Sequence, residues 1–272
     1  MNDLRSRRAR GPAWLRRILG HPRIVPATAL LLRARTVRPS SAFVARELFR
    51  RAGSFVYRER SGGLSVVVRH GSADPVTLGE VFHERDYEPP LEMPPLRPAR
   101  VVDLGANVGY FGAFALATWP EAHVAAWEPD PANAEIHART IAINGLEARW
   151  ELHRSAASNA AGSMRFSATA DALSHQDDSG ELVVPSEDVL PAIAGVELLK
   201  MDIEGGEWAI LGDPRFADDP PQVVVMEHHP NGAPGPDSRA AALEALGAAG
   251  LTSTASIFLR ADGYGMLWAW RP

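Results

Sequence analysis

Val101-Val102-Asp103-Leu104-Gly105-Ala106-Asn107-Val108-Gly109 reads as a short apolar strand that runs into a glycine turn. A helix is expected next, from about Tyr110 to Thr118. Outward from this unit the pattern repeats. Strands are predicted at Val124–Glu128, Arg149–His153, Val196–Ile203 and Val223–Glu227. Helices are predicted at Asn133–Asn144, stopped by Gly145, from Glu207 to Leu211, and at Ser238–Ala249, with Gly250 as its stop. Ser253–Leu259 and Met266–Trp270 close the chain as two further strands, and residues 161–185 read as irregular β structure. Strand–helix alternation of this kind predicts an α/β fold with a mostly parallel seven-stranded sheet flanked by helices, Rossmann-like in its winding. Ligands of such sheets bind beyond the carboxyl ends of the strands, so polar residues there carry the functional signal.

Upstream, residues 1–60 form an Arg-rich helical arm or lid, with Trp14, Leu15, Ile18 and Leu19 at helical spacing and a helix from Ser41 to Ala52 that starts on a serine cap. Residues 61–99 form a short β and linker extension. Phe55–Tyr57 and Leu64–Val68 are strands around Ser61-Gly62-Gly63, Val76–Phe82 is a short helix, and five prolines between Glu88 and Pro98 mark an extended linker. Residues 100–272 form the ligand-binding domain.

Composition removes whole classes. The 272 residues include no cysteine, which excludes disulfide scaffolds, zinc fingers, thiolate nucleophiles and cysteine-ligated clusters. No run of 18 apolar residues spans a membrane, and Ile24–Leu32 is too short and proline-marked for a secretory core, so a cytoplasmic protein is expected. Of the 28 basic residues, 27 are Arg, and the single Lys is Lys200. Residues 1–60 carry a net charge of +12 and the remainder −17. The arm is suited to weak contact with an anionic surface, but Arg counts mean little in a chain that uses almost no other cation.

Four strand ends carry polar groups. At the first, Asp103 precedes Gly105, Asn107 and Gly109. The spacing is neither the G-x-G-x-x-G of a dinucleotide site nor a phosphate-binding loop, and the acid suits a cationic ligand. Glu128 ends the second strand, where a carboxylate accepts hydrogen bonds from both hydroxyls of a ribose. Ser155-Ala156-Ala157 follows the third strand as a loop of small residues on which an adenine could lie. A ligand with a ribose, no phosphates and a positive charge is S-adenosyl-L-methionine.

The fourth end is Lys200-Met201-Asp202-Ile203-Glu204-Gly205-Gly206-Glu207. Strand alternation would send Lys200, Asp202 and Glu204 to one side, and Glu227-His228-His229 ends the next strand in the same style. Two schemes follow. In one, His228 or His229 is the general base in preference to Lys200, whose pKa neighbouring acids would keep high. In the other, Asp202, Glu204 and one residue of Glu227–His229, with Glu227 the first choice, hold a divalent cation, for which hard oxygen ligands suit Mg2+.

Asp103 to Gly109 together with Lys200 to Glu207 resembles the FkbM-type family of S-adenosylmethionine-dependent methyltransferases. The resemblance covers about residues 76–230. Val81-Phe82 and Tyr87-Glu88-Pro89-Pro90 are similar to that family's opening segment, and Val184–Leu190 to its Leu-Asp-Asp-Leu segment, with Glu187 where the family has Leu. The resemblance implies the class I methyltransferase fold and O-methylation of a small hydroxylated acceptor, a natural product or a sugar-containing molecule. A nicotinamide-dependent oxidoreductase would share the fold but needs the missing third glycine. A nucleic-acid methyltransferase would use the basic arm, but the body is acidic and no Asn/Asp-Pro-Pro-aromatic segment is present, so nucleic acid is not the expected partner. A dimer is compatible with the sequence, which leaves oligomeric state open.

Overall fold

The computed structural model describes residues 25–167, 175–176, 182–260 and 263–272. The helical piece expected around Trp14 to Leu19, and with it most of the basic arm, lies outside the described residues, as does part of 161–185.

The described chain opens with α1 (Val25–Ala34), β1 (Val37–Arg38), α2 (Ser40–Leu48), β2 (Gly53–Glu59) and β3 (Ser65–His70). α2 starts from Pro39 rather than a capping serine, because the Ser40 hydroxyl is spent on the Val37 carbonyl at 2.8 Å. The three strands form an antiparallel sheet in the order β1-β2-β3. Its hairpin turn closes around the buried Glu59 carboxylate, which accepts from the backbone N–H of Ser61, Gly62 and Leu64 at 2.6, 2.6 and 3.1 Å. A division of the chain at residue 60 therefore falls inside one hairpin. α3 (Asp74–Gly79) passes directly into a π-helical turn (Glu80–Glu84), and the proline-rich segment follows.

The body runs β4 (Arg100–Leu104), α4 (Tyr110–Thr118), β5 (His123–Trp127), α5 (Pro131–Asn144) and β6 (Trp150–His153). α5 begins on Asp130, whose carboxylate accepts from Ala132 N and Asn133 N, with Pro131 at the first turn and left-handed Gly145 at the end. Then come β7 (Ala156–Ser158), β8 (Gly162–Ser167), β9 (His175–Gln176) and β10 (Leu182–Asp188), which form a separate small sheet in the order β7-β10-β8-β9. α6 (Leu190–Ile193), β11 (Leu198–Met201), α7 (Glu207–Leu211), α8 (Pro214–Asp218), β12 (Val223–His228), α9 (Ser238–Ala248), β13 (Ser253–Leu259) and β14 (Gly265–Trp270) complete it. The main sheet has seven strands in the order β13-β14-β12-β11-β4-β5-β6, and only β14 runs against the others.

Because side chains alternate along each strand, the sheet has two buried faces. Val102, Leu104, Leu199, Met201, Val224 and Met226 pack with Ile193, Ile210 and Leu246 on one face. Val101, Val124, Leu198 and Val225 look the other way, into a core they share with Phe43, Tyr57, Val66, Val67 and Leu78. The N-terminal unit thus supplies 11 of the 34 buried residues described in that core. Polar stitches hold it in place. Asn144 Oδ1 accepts from Ser65 N at 2.8 Å, its Nδ2 donates to the Ser65 and Thr140 carbonyls at 2.7 and 2.8 Å, and the Tyr110 hydroxyl donates to Val67 O at 3.0 Å. Asn144→Ala should cost about 1–3 kcal/mol of unfolding free energy, measured by urea denaturation, because it leaves half-buried backbone groups of β3 unpaired.

Candidate active site

Strand order runs outward from β4 through β5 to β6 on one side and from β11 to β12 on the other, so the topological switch lies between β4 and β11. Asp103 and Lys200 are register partners there. Their side chains are 0 % and 4 % exposed and approach to 3.2 Å. The Lys200 ammonium also donates to the carbonyls of Gly105 (2.6 Å) and Leu104 (3.3 Å) and lies 3.7 Å from Asp202 Oδ2. Burial alone would lower its pKa, but the charges of Asp103, Asp202 and Glu227 outweigh that and raise it above the usual lysine value. Lys200 is therefore a fixed cation that ties β11 to the glycine turn, and not a base. Gly105 sits at φ +77°, where a Cβ would meet the Asp202 carbonyl oxygen at 1.7 Å.

The other residues expected at this end gather around the same turn. Glu128 accepts from Asn107 N at 2.7 Å and Asp130 N at 2.9 Å. Burial pushes its pKa up to about 7, against those two hydrogen bonds. Asn107 has φ +50°, and its Oδ1 is buried without a hydrogen-bond partner, as is Asp103 Oδ2, while Asp103 Oδ1 faces the Lys200 ammonium. Gly109 (φ +89°) lies against the His137 ring, 2.5 Å from where a Cβ would be, so only glycine fits. Ser155 and Ala156 differ from expectation. They are buried and lead into β7 instead of forming an open loop, because Ala156–Ser158 pairs with β10. Glu187 of β10 closes this corner. Its carboxylate accepts from Ser155 Oγ at 2.7 Å and Trp127 Nε1 at 3.0 Å, and lies 3.0 Å from His153 Nδ1, while Trp127 stacks on His153 at 4.1 Å. A polar clamp thus occupies a position where a packing Leu was the reference.

At the other end, β11 stops at Met201. Glu204 is outside the strand, in a turn at φ +54°, so alternation does not place it. It nevertheless reaches the cluster, 3.4 Å from His229 Nε2. His229 Nε2 also lies 4.0 Å from Asp202 Oδ1, and its Nδ1 is 2.8 Å from Glu207 Oε1. Glu207 is fully buried and accepts from the N–H of His229 and Gly205 as well, which fixes the ring. His228 does not join them. It projects from the opposite face of β12, where its Nδ1 lies 2.9 Å from Ser238 Oγ, and burial lowers its pKa. It is removed from the candidate bases. His229 is not near neutral either. Burial lowers its pKa, but the Glu207 hydrogen bond and the charges of Glu207, Asp202 and Glu204 drive it up to about 9. Glu227 faces the same cleft and accepts a short hydrogen bond from Tyr264. Burial, then the charge of Asp202, holds its pKa well above the carboxylate range.

Sequence reasoning missed Tyr87, Tyr264 and Glu207 as site residues. Tyr87 is buried, with Lys200 Nζ 6.0 Å from its ring centre, and Tyr264 packs edge-on against His229 at 5.0 Å. Two of only four tyrosines in the chain thus meet at one cleft, a scarcity that was the available signal.

The sequence model of the methyltransferase FkbM domain matches residues 103–248. A methyltransferase FkbM structure from Methylobacillus flagellatus superposes with TM-score 0.50 at 12% identity, covering 91% of this chain and 59% of that one. The chain therefore spans about three fifths of that relative's length. An S-adenosylmethionine-dependent methyltransferase from Agrobacterium tumefaciens superposes with TM-score 0.42 at 13% identity, covering 80% of this chain and 70% of that one. A search of curated proteins finds no match. The fold is that of class I methyltransferases.

Lys200→Met should destabilise the protein by about 3–5 kcal/mol, since it strands a buried carboxylate. Adding Asp103→Asn should recover part of the loss. Additive losses in the double variant, read from chemical denaturation, would show that the pair is not coupled.

Proposed function

Since the chain belongs to the FkbM methyltransferase family, we propose that it transfers the methyl group of S-adenosyl-L-methionine to a hydroxyl of a small natural-product or sugar-containing acceptor. The observation that carries this reading is the meeting, at one topological switch point, of a glycine turn, Glu128 and a cleft rich in acids. The donor set suits that cofactor. Asn107 Oδ1 and Asp103 Oδ2 are buried without hydrogen-bond partners, and Asp202 and Glu204 provide the negative surroundings that a sulfonium prefers. When bound, the cofactor supplies an electrophilic methyl group.

In this reading the protein's own residues do three things. Glu128 holds the ribose hydroxyls, with Asn107 N and Asp130 N fixing the carboxylate's direction. Lys200 and Asp103 keep the turn at Gly105 in the one shape that lets a ligand approach its backbone. His229, aimed by Glu207, takes the proton of the acceptor hydroxyl as its oxygen attacks in line. Tyr87 and Tyr264 wall the cleft and keep water from it. Among the described residues no helix is long and apolar enough to cross a membrane.

Incubation with the cofactor and a panel of hydroxylated metabolites should give an acceptor heavier by one methylene, read by mass spectrometry. S-adenosylhomocysteine should raise the melting temperature of the wild type, and Glu128→Ala should abolish that shift; an unshifted wild type would sink the cofactor assignment. The base assignment makes a separate pH prediction. Imidazolium cannot accept a proton, so kcat/KM should rise with pH up to about 9 and level off above it. A bound sulfonium lowers the His229 pKa, so kcat should level off at lower pH than kcat/KM. His229→Asn should remove the rising limb and cut kcat by about 10²–10⁴-fold, whereas an unchanged limb in that variant would exclude His229.

A further inference from the structure

We propose that Asp202, Glu227 and His229 form a binding site for one divalent transition-metal ion. One ligand atom from each of the three lies within 4.8 Å of the others. That alone would be a cluster of acids around a histidine, but the histidine is built for the purpose. Its side chain is 93 % buried, Nε2 makes no hydrogen bond, and Nε2 faces Asp202 and Glu204. Its other nitrogen, Nδ1, is committed to the fully buried Glu207 carboxylate at 2.8 Å. A carboxylate behind a histidine whose far nitrogen points into an acidic cleft is the arrangement that orients a metal ligand.

The two carboxylates are committed in the same divided way. Asp202 gives Oδ2 to Lys200 at 3.7 Å and turns Oδ1 toward His229. Glu227 gives Oε2 to the Tyr264 hydroxyl, which leaves Oε1. Three neighbours thus each take one atom of a ligand residue and leave one for the cleft. The set also differs from the one preferred from sequence, Asp202, Glu204 and Glu227. His229 replaces Glu204, which does not share the 4.8 Å cluster. Two oxygens and one imidazole nitrogen favour Mn2+, Fe2+ or Zn2+ over Mg2+, which prefers oxygen ligands and keeps most of its waters. Three protein ligands leave positions open for an acceptor oxygen, and an ion on Nε2 takes the lone pair that accepts the proton in the metal-free protein, so with the ion bound the acceptor hydroxyl would be activated by coordination and not by His229. That role rests on the methyl-transfer reading, whereas the site itself rests on the geometry of the three side chains.

The full-length protein, stripped with chelator and then saturated with S-adenosylhomocysteine, should be titrated with Mn2+ and followed by electron paramagnetic resonance. One bound Mn2+ per chain is expected, with electron–nuclear coupling to a single imidazole 14N in the wild type. His229→Gln should abolish that coupling, and Glu207→Gln should weaken Mn2+ binding by about 10–100-fold. No stoichiometric Mn2+, or bound Mn2+ without nitrogen coupling, would overturn the site, and neither result depends on a variant folding. Calorimetry of S-adenosylhomocysteine on the same samples separates the two readings. Retained nucleoside binding without Mn2+ overturns the metal site alone, and lost nucleoside binding overturns the cofactor assignment.

Discussion

The contact between Asp103 and Lys200 carries more of this structure than any other. Two charges with almost no solvent exposure sit side by side at the switch point of the sheet. Taking each ion out of water costs several kcal/mol, so fold stability alone would prefer two apolar residues here. What the pair secures is geometry. The ammonium reaches the Gly105 and Leu104 carbonyls, and Asp202 N donates to the Leu104 carbonyl at 3.0 Å. One cation therefore fixes the turn after β4 against the end of β11, the two edges of the crevice. A guanidinium, wide and planar, could not make the same close contacts, which gives a physical reason for one Lys in a chain of Arg.

From that anchor the site divides by the faces of β12. Glu227 and His229 share the side that holds Asp103 and Lys200, while His228 takes the other side and serves Ser238. Glu207 then sets the ring of His229 and, through Gly205 N, the turn that carries Glu204. The acids of the cleft outnumber its cations, which helps drive the pKa of His229 up to about 9, while burial first and the Asp202 charge second raise that of Glu227. A cleft of this kind favours any cation that fits, whether a sulfonium or a metal ion.

The N-terminal unit is part of the same construction. It covers the face of the sheet on which the site lies, shares its core with α4, α5 and β4, and brings Tyr87 over Lys200. The small sheet on the other side has a comparable role, since Glu187 holds Trp127, His153 and Ser155 together at the end of β5 and β6.

Much of this was legible in the residues. Periodicity set the order of the seven strands along the chain and the limits of α4, α7 and β13. Glycines at turns, and polar groups at strand ends, pointed to Asp103, Glu128, Lys200 and Asp202, because a charge at the end of a buried strand has no packing reason to be there. Local pattern failed where pairing decides. Ser155-Ala156-Ala157 has the composition of a loop, and only the partner β10 makes it a strand. Neighbouring His228 and His229 look alike in sequence, yet one residue's step along β12 sends them to opposite faces. Tyr87 and Tyr264 stand 177 positions apart, and no spacing rule joins them to Glu227. The sequence by itself determined the winding of the sheet and the end of it that binds, since both follow from short-range alternation. The tertiary structure alone decided which charged groups face each other, because that depends on strand order, register and burial, which are properties of segments brought together from across the chain.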